Sequence, residues 1–401
     1  MTLLPVADLI QPDVLVFGGG VAGLWTLDAV RRSGRSACLI ERDALGAGQT
    51  ICSQGIVHGG LKYSLGGLLD PSAEAIRDMP ALWSDCLRGA ALPDLRPVRL
   101  LADHGYLWRT RSLRSRAGLL GARLALRVTP RRVAKAERPP PLASCPGDVL
   151  RLDEPVVDPA SLLAALAELH RGVLLRAAEA QVRAGDSATG IEVTLPAAAR
   201  GRAPLKLRPA VVVLAAGAGN EALRAALRLP AERMQRRPLH MVMVRGALPA
   251  LFGHCTDGDR TRVTITSATD TAGRTVRQVG GQLAEEVVQR SREELLADAR
   301  HELESVLPGV DLSAAELASY RIDRAEARTA GGRRPEDVHC EREGDVVTTW
   351  PTKLALAPRL AQRVLELLPP PRSSVPDDVP GERPPVARPP WEQETQWTRV
   401  R

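Results

Sequence analysis

Aromatic side chains are scarce: 401 residues hold two Phe, three Tyr and six Trp, while Ala, Leu, Arg and Pro abound, which reads as coding bias rather than function. No stretch approaches the roughly 18 apolar residues of a membrane-spanning helix. The opening MTLLPVADLIQPDV has neither a basic segment nor a long apolar one, so no secretory signal is expected and the chain reads as cytoplasmic. Six cysteines are scattered at Cys38, Cys52, Cys86, Cys145, Cys255 and Cys340 without a C-x-x-C pair. This spacing argues for reduced, mostly buried thiols and gives no sign of a metal site or a disulfide framework. Acid is missing altogether between Asp103 and Glu137, where Arg109, Arg111, Arg114, Arg116, Arg123, Arg127, Arg131, Arg132 and Lys135 all occur. Such a stripe suits an anionic membrane surface or nucleic acid. A solvated basic face is the plainer reading, and nucleic acid is not the expected partner.

A hydrophobic fraction of 44% and a charged fraction of 25% are those of a globular protein, and the length permits two or three domains. The most informative stretch is Asp13 to Glu41. Asp13-Val14-Leu15-Val16-Phe17 is a short apolar run, as in a parallel strand buried on both faces. Gly18-Gly19-Gly20-Val21-Ala22-Gly23 follows it directly, with glycine at all three positions of G-x-G-x-x-G. Gly18 makes the tight turn, Gly20 lets backbone approach a pyrophosphate, and Gly23 allows close helix-to-strand packing. Leu24, Leu27, Ala29 and Val30 give the following helix its apolar spacing, and Ala37-Cys38-Leu39-Ile40 forms a second strand. Glu41 stands at its end, where a carboxylate accepts hydrogen bonds from ribose hydroxyls. The unit predicts a dinucleotide site and leaves FAD and NAD both open.

Arg42 to Gly67 is rich in glycine and small polar residues, a poor helix and a poor strand. It reads as an extended loop against something flat or anionic, with Thr50, Ser53 and Gln54 able to donate to phosphate or ring oxygens. His58-Gly59-Gly60-Leu61-Lys62-Tyr63 then sets an imidazole, a cation and a phenol within six residues.

This loop resembles the one in the FAD-dependent glycerol-3-phosphate dehydrogenases, members of the D-amino-acid-oxidase-like flavoprotein superfamily, where a serine-rich turn precedes H-G-G-[LV]-[RK]-Y. Three later segments are similar to the superfamily too. Ala210 to Ala218, an apolar strand running into A-A-G-A, resembles its second FAD-contacting motif. Gly331-Gly332-Arg333-Arg334-Pro335 resembles its G-x-R-P, whose arginine binds the substrate's anionic group. Thr348-Thr349-Trp350 fits the T-T-Y of the dehydrogenases, although valine stands where their lysine does, a departure that counts against glycerol 3-phosphate itself.

The resemblance implies an α/β fold: a Rossmann-like FAD-binding domain, a parallel sheet with a β-meander, interleaved with an α+β substrate domain on an antiparallel sheet. The FAD-binding domain is expected over 1–95, 150–234 and 329–368, and the substrate domain over 96–149 and 235–328. Residues 369–401 read as a Pro-rich tail, mobile or surface-bound, in which Trp391 and Trp397 hint at docking. Expected FAD contacts are Gly18, Gly20, Val21, Ala22, Gly23, Glu41, Arg42, Thr50, Ser53, Gln54, Gly55, His58, Val182, Ala216, Gly217, Thr349 and Lys353. His240, placed where the dehydrogenases show G-S-H-I-V-V, is expected to be the base; Arg334 and Lys62 are the expected anion clamps, and Tyr63 an orienting partner. His254 matches no motif and reads as structural.

The implied activity is hydride transfer from a CH–OH or CH–NH group of a small anionic substrate to flavin. A polyol phosphate or 2-hydroxy acid is the first expectation. The alternatives are an amine or amino-acid oxidase of the same superfamily and a flavoprotein acting on RNA through 109–135. The electron acceptor, oxygen or a quinone or another, stays open, and peripheral contact with the inner face of a membrane would suit the basic stripe.

Overall fold

The structure is a computed structural model, which describes residues 9–59, 75–110, 130–185, 190–196, 204–257, 260–286, 290–372 and 377–399. Val14–Phe17, the run of four apolar residues, has strands at both edges, and all four of its side chains are buried. Ala37–Glu41 and then Leu174–Arg176 extend the sheet one way, and Val211–Leu214 and Val346–Trp350 the other, all parallel. His339–Glu343 closes the far edge antiparallel to Val346–Trp350. The chain thus reverses its direction of travel between Val14–Phe17 and Val211–Leu214, the kind of switch point at whose carboxyl ends ligands bind in open α/β sheets.

Helix Val21–Arg32 packs on this sheet with Pro159–Leu169 and Ala357–Leu367 beside it. Asp158 caps the second of these through the N–H of Ser161. A smaller meander, Gln181–Ala184, Ile191–Leu195 and Leu205–Leu207, pairs with Leu9–Ile10. A further helix forms over Met79–Leu87, with Pro80 tolerated in its first turn.

The second layer is an eight-stranded sheet in the order Glu316–Ala327, Met234–Gly246, Thr275–Gly280, Arg260–Thr269, Gly253–Asp257, Gly105–Arg109, Val149–Leu152 and Arg131–Arg132. Every pairing in it is antiparallel except that of Gly253–Asp257 with Gly105–Arg109. One face is covered by helix Arg292–Val306, which starts at a capping box: Ser291 Oγ accepts from Glu294 N–H and Glu294 Oε2 from Ser291 N–H. Leu295, Leu296, Ala299 and Leu303 of the helix pack there on Val242, Val244, Val263, Ile265 and Val279 of the strands. The opposite face looks toward the dinucleotide unit.

Residues 377–399 tie the two layers together. Val386 bridges to Leu45 beside the glycine turn, Glu382 pairs with Arg176, and Thr398 exchanges backbone hydrogen bonds with Leu317 of the eight-stranded sheet. Trp391 packs on Met243, Val276 and Ala318, and Arg245 lies 4.0 Å over the Trp397 ring. The tail docks through both tryptophans.

Candidate active site

At the switch point the glycines have no room for side chains. Gly18, at φ +104°, would place a β-carbon 2.5 Å from Ala216 Cα, and one on Gly23 would lie 1.9 Å from Gly18 O. A β-carbon on Gly20 meets only Thr50 Oγ1, at 3.1 Å, so this position stays open to an approaching ligand. Helix Val21–Arg32 has no acid in its first turn and no cap from its own Gly20; instead Val21 N–H donates to Thr50 Oγ1 at 3.1 Å. A helix end of this kind attracts anions. Glu41 Oε2 accepts from Gly19 N–H at 2.6 Å, which brings the ribose-binding acid onto the glycine turn. Ser53 Oγ is buried with no partner among the described residues. Open backbone at Gly20, the uncapped helix end, Glu41 and Ser53 together fit a dinucleotide.

The remaining expected contacts are spread more widely. Ala216 and Gly217 stand at the end of Val211–Leu214, where Asn220 Oδ1 accepts from Ala216 N–H at 2.8 Å and Asn220 Nδ2 donates to Leu214 O and Thr349 O. Asn220 escaped the sequence reading, although a fully buried Asn after A-A-G-A-G is the signal that would have found it. Thr349 Oγ1 is committed to Leu214 O at 3.0 Å, so the hydroxyl holds two strands together. Gly55, at φ +67°, has its α-carbon against Val157 O. Lys353 is buried just before the turn Leu354–Leu356, while Arg42 is exposed and Val182 lies half-buried on the meander. Lys62 and Tyr63 lie outside the described residues.

Loop 49–54 reaches across to the eight-stranded sheet. Gln54 Nε2 donates to Thr264 O and Gln278 O, and Tyr320 OH donates to Cys52 O at 3.1 Å while accepting from Gln278 Nε2 at 2.8 Å. Burial pushes the Tyr320 hydroxyl well above its ordinary pKa, so it stays a phenol. A β-carbon on Gly280 would lie 2.9 Å from Gln54 Oε1. Cross-strand pairing then fixes which side chains share this face: Thr264 is opposite Gly280, His254 opposite Thr264, and Met241 opposite Tyr320.

His240 is corrected by the same register. Its strand pairs with Glu316–Ala327 without a bulge, so side chains alternate strictly, and Met241 on the loop side puts His240 on the helix side with Val242 and Val244. There it is buried, 3.0 Å from Ser319 Oγ, and burial, with Arg321 and Arg292, holds its imidazole below the ordinary pKa. The structure does not bring His240 to the dinucleotide unit.

His254 takes a place that no motif assigned to it. It faces the loop side, with Nδ1 2.8 Å from Thr264 Oγ1, and its ring centroid is 5.3 Å from that of His58. Glu154 joins them: its Oε1 accepts from Gly59 N–H at 2.6 Å and its Oε2 lies 3.6 Å from His58 Nδ1. These residues are about a hundred positions apart in sequence, which is why no spacing rule foretold the group.

Further along the same face is a cluster of charge. Arg237 makes a two-pronged pair with the buried Glu326 at 2.7 and 3.1 Å, and Arg324 pairs with Glu285 at 2.8 Å. Burial pushes the Glu285 carboxyl up, but Arg324, Arg237 and Arg334 override it and hold the group below its usual range. Arg324 is shifted down by burial and by the like charges of Arg237 and Arg334. Arg334 thus adds its charge to that of Arg237 and Arg324 in one cluster.

The family model for FAD-dependent oxidoreductases of the DAO type matches residues 13–345. The probable FAD-dependent oxidoreductase PA4991 of Pseudomonas aeruginosa is 41% identical over 398 residues, covering 96% of this chain and 98% of that protein. The crystal structure of PA4991 superposes with a TM-score of 0.79 at 36% identity over 97% of this chain and 99% of its own. Glycine oxidase from Geobacillus kaustophilus, with TM-score 0.63 and 18% identity, covers 89% of this chain and 94% of its own. L-α-glycerophosphate oxidase from Mycoplasma pneumoniae, solved with FAD bound, gives 0.62 and 16% over 90% and 95%. The last two share the fold. The glycine turn, the acid on it and the match across both sheets agree: this chain belongs to the DAO family of FAD-dependent oxidoreductases.

Proposed function

We propose that the protein oxidises a CH–OH or CH–NH group of a small anionic substrate, a 2-hydroxy acid or polyol phosphate before an amino acid. The observation that carries this reading is the cluster of Arg237, Arg324 and Arg334 on the face of the eight-stranded sheet that meets the dinucleotide unit. FAD, when bound, supplies the two-electron acceptor for a hydride leaving the substrate carbon. Arg324 and Arg334 bind and orient the substrate's carboxylate or phosphate, for which a planar fork is suited. The hydroxyl or amine of the substrate lies at the other end of the face, beside His58, Glu154 and His254, and its proton leaves there to solvent. Gln54, Tyr320 and Gln278 hold the loop against the sheet and exclude water from the space between.

Anaerobic bleaching of the flavin absorption near ~450 nm by a panel of 2-hydroxy acids, polyol phosphates and amino acids tests the proposal. The anions should bleach it and their uncharged amides or alcohols should not. Arg324→Ala and Arg334→Ala should each raise KM about 10- to 100-fold, since a hydrogen bond to a charged group contributes about 1.5–3 kcal/mol. Equal bleaching by charged and uncharged analogues would overturn it.

A further inference from the structure

His58, Glu154 and His254 each present one ligand atom, and the three atoms lie within 4.8 Å of one another. The 3.6 Å between His58 Nδ1 and Glu154 Oε2 is too long for a hydrogen bond, whose heavy atoms sit about 2.7–3.2 Å apart. It is close to the roughly 3.4 Å edge between two ligands that are each about 2.1 Å from a tetrahedral centre. The two imidazoles are inclined at 37° with ring centroids 5.3 Å apart.

Each ligand is also oriented from behind. Gly59 N–H holds Glu154 Oε1 and leaves Oε2 turned toward His58. Thr264 Oγ1 holds His254 Nδ1, and when Nδ1 donates there the lone pair sits on Nε2. A hydrogen-bonded carboxylate and a tautomer-fixed imidazole are the usual supports of metal ligands. Glu154 and His254 are 3% and 1% exposed, so neither is a surface ligand.

We infer that His58, Glu154 and His254 bind one divalent transition-metal ion of the zinc, iron(II) or manganese class. Two imidazoles and one carboxylate are a donor set for such ions, and three protein ligands leave coordination open to a substrate. Magnesium and calcium, which take oxygen ligands, fit it poorly. The catalytic consequence rests on the proposed function: a Lewis acid here holds negative charge on the hydroxyl oxygen of a 2-hydroxy acid. A protonated amine would meet the ion's like charge, so the site favours hydroxy acids over amino acids.

The test uses full-length, FAD-saturated protein stripped with a chelator and titrated with Zn²⁺ and with Mn²⁺ in the absence of substrate, by calorimetry and by metal analysis after dialysis. One ion per chain is expected. His254→Ala and Glu154→Gln should weaken binding by about 100-fold or more, and Thr264→Val, which keeps all three ligands, by about 10- to 100-fold. FAD content reports whether each variant has folded; should the ligand variants fail there, Thr264→Val decides. No stoichiometric ion in the wild type, or unchanged affinity in the folded variants, would overturn the site. An ion bound to a protein that no anionic substrate reduces would instead overturn the proposed function and leave the site standing.

Discussion

Gln54 and Gly280 meet where the two layers touch: Gln54 Nε2 donates to the carbonyls of Thr264 and Gln278 at 2.9 and 3.1 Å, and its Oε1 lies where a Gly280 side chain would begin. Gly280→Ala would bring a methyl to 2.9 Å from Gln54 Oε1 and 3.1 Å from Met241 Cε. Both neighbours are ends of flexible side chains, so the loop must give way rather than the strand. The cost should be about 1–3 kcal/mol, the range of overpacked cores. Gln54→Ala in the same background should recover part of it in urea denaturation; no loss in Gly280→Ala would show that the contact is slack.

Gly23→Ala places a methyl 1.9 Å from Gly18 O, and both partners are backbone. No rotamer relieves that clash. The variant should lose about 3 kcal/mol or more, and the purified protein should carry far less flavin per chain than wild type. Normal flavin stoichiometry in soluble Gly23→Ala would contradict the packing described for this helix and strand.

The His240 imidazole is held below its ordinary pKa by burial and by Arg321 and Arg292. Unfolding exposes it to water, where it takes a proton near pH 6.5. Its contribution to stability is thus complete above that pH and lost as pH falls toward the lower folded value. Urea midpoints at pH 7.5 and 5.5 should fall more in wild type than in His240→Gln, and substrate reduction of the flavin should be unaffected by the change. Equal acid sensitivity of the two proteins would count against this account.

Trp391 is the anchor of the C-terminal strap, packed on Met243, Val276 and Ala318. Trp391→Ala should cost about 3 kcal/mol, the lower end for a large aromatic removed from a core. Limited proteolysis should then cut between 377 and 399 faster than in wild type. If cleavage and melting are unchanged, the strap contributes nothing to the joining of the layers.

Local pattern made the dinucleotide unit legible. Strand, glycine turn, helix and acid lie within 13–41, and each acts on its neighbours in sequence. His240 was misplaced because a histidine on a strand has two faces to choose from, and the choice is made by register with strands eighty residues away. The group of His58, Glu154 and His254 was invisible to spacing altogether, since it forms only when the loop, the return crossover and the eight-stranded sheet come together. The meeting of Arg237 with Arg324 escaped the sequence because only strand pairing sets them opposite each other.

The strap has a consequence for the order of assembly. Its partners, Leu45 and Leu317, lie on different layers and precede it in the chain, so the strap is made after the strands it joins. Loop 49–54 joins the layers as well, and Trp350 packs across them on Met234, Ala325 and Ala327. The strap is thus a late fastening on two layers whose strands all precede it in the chain.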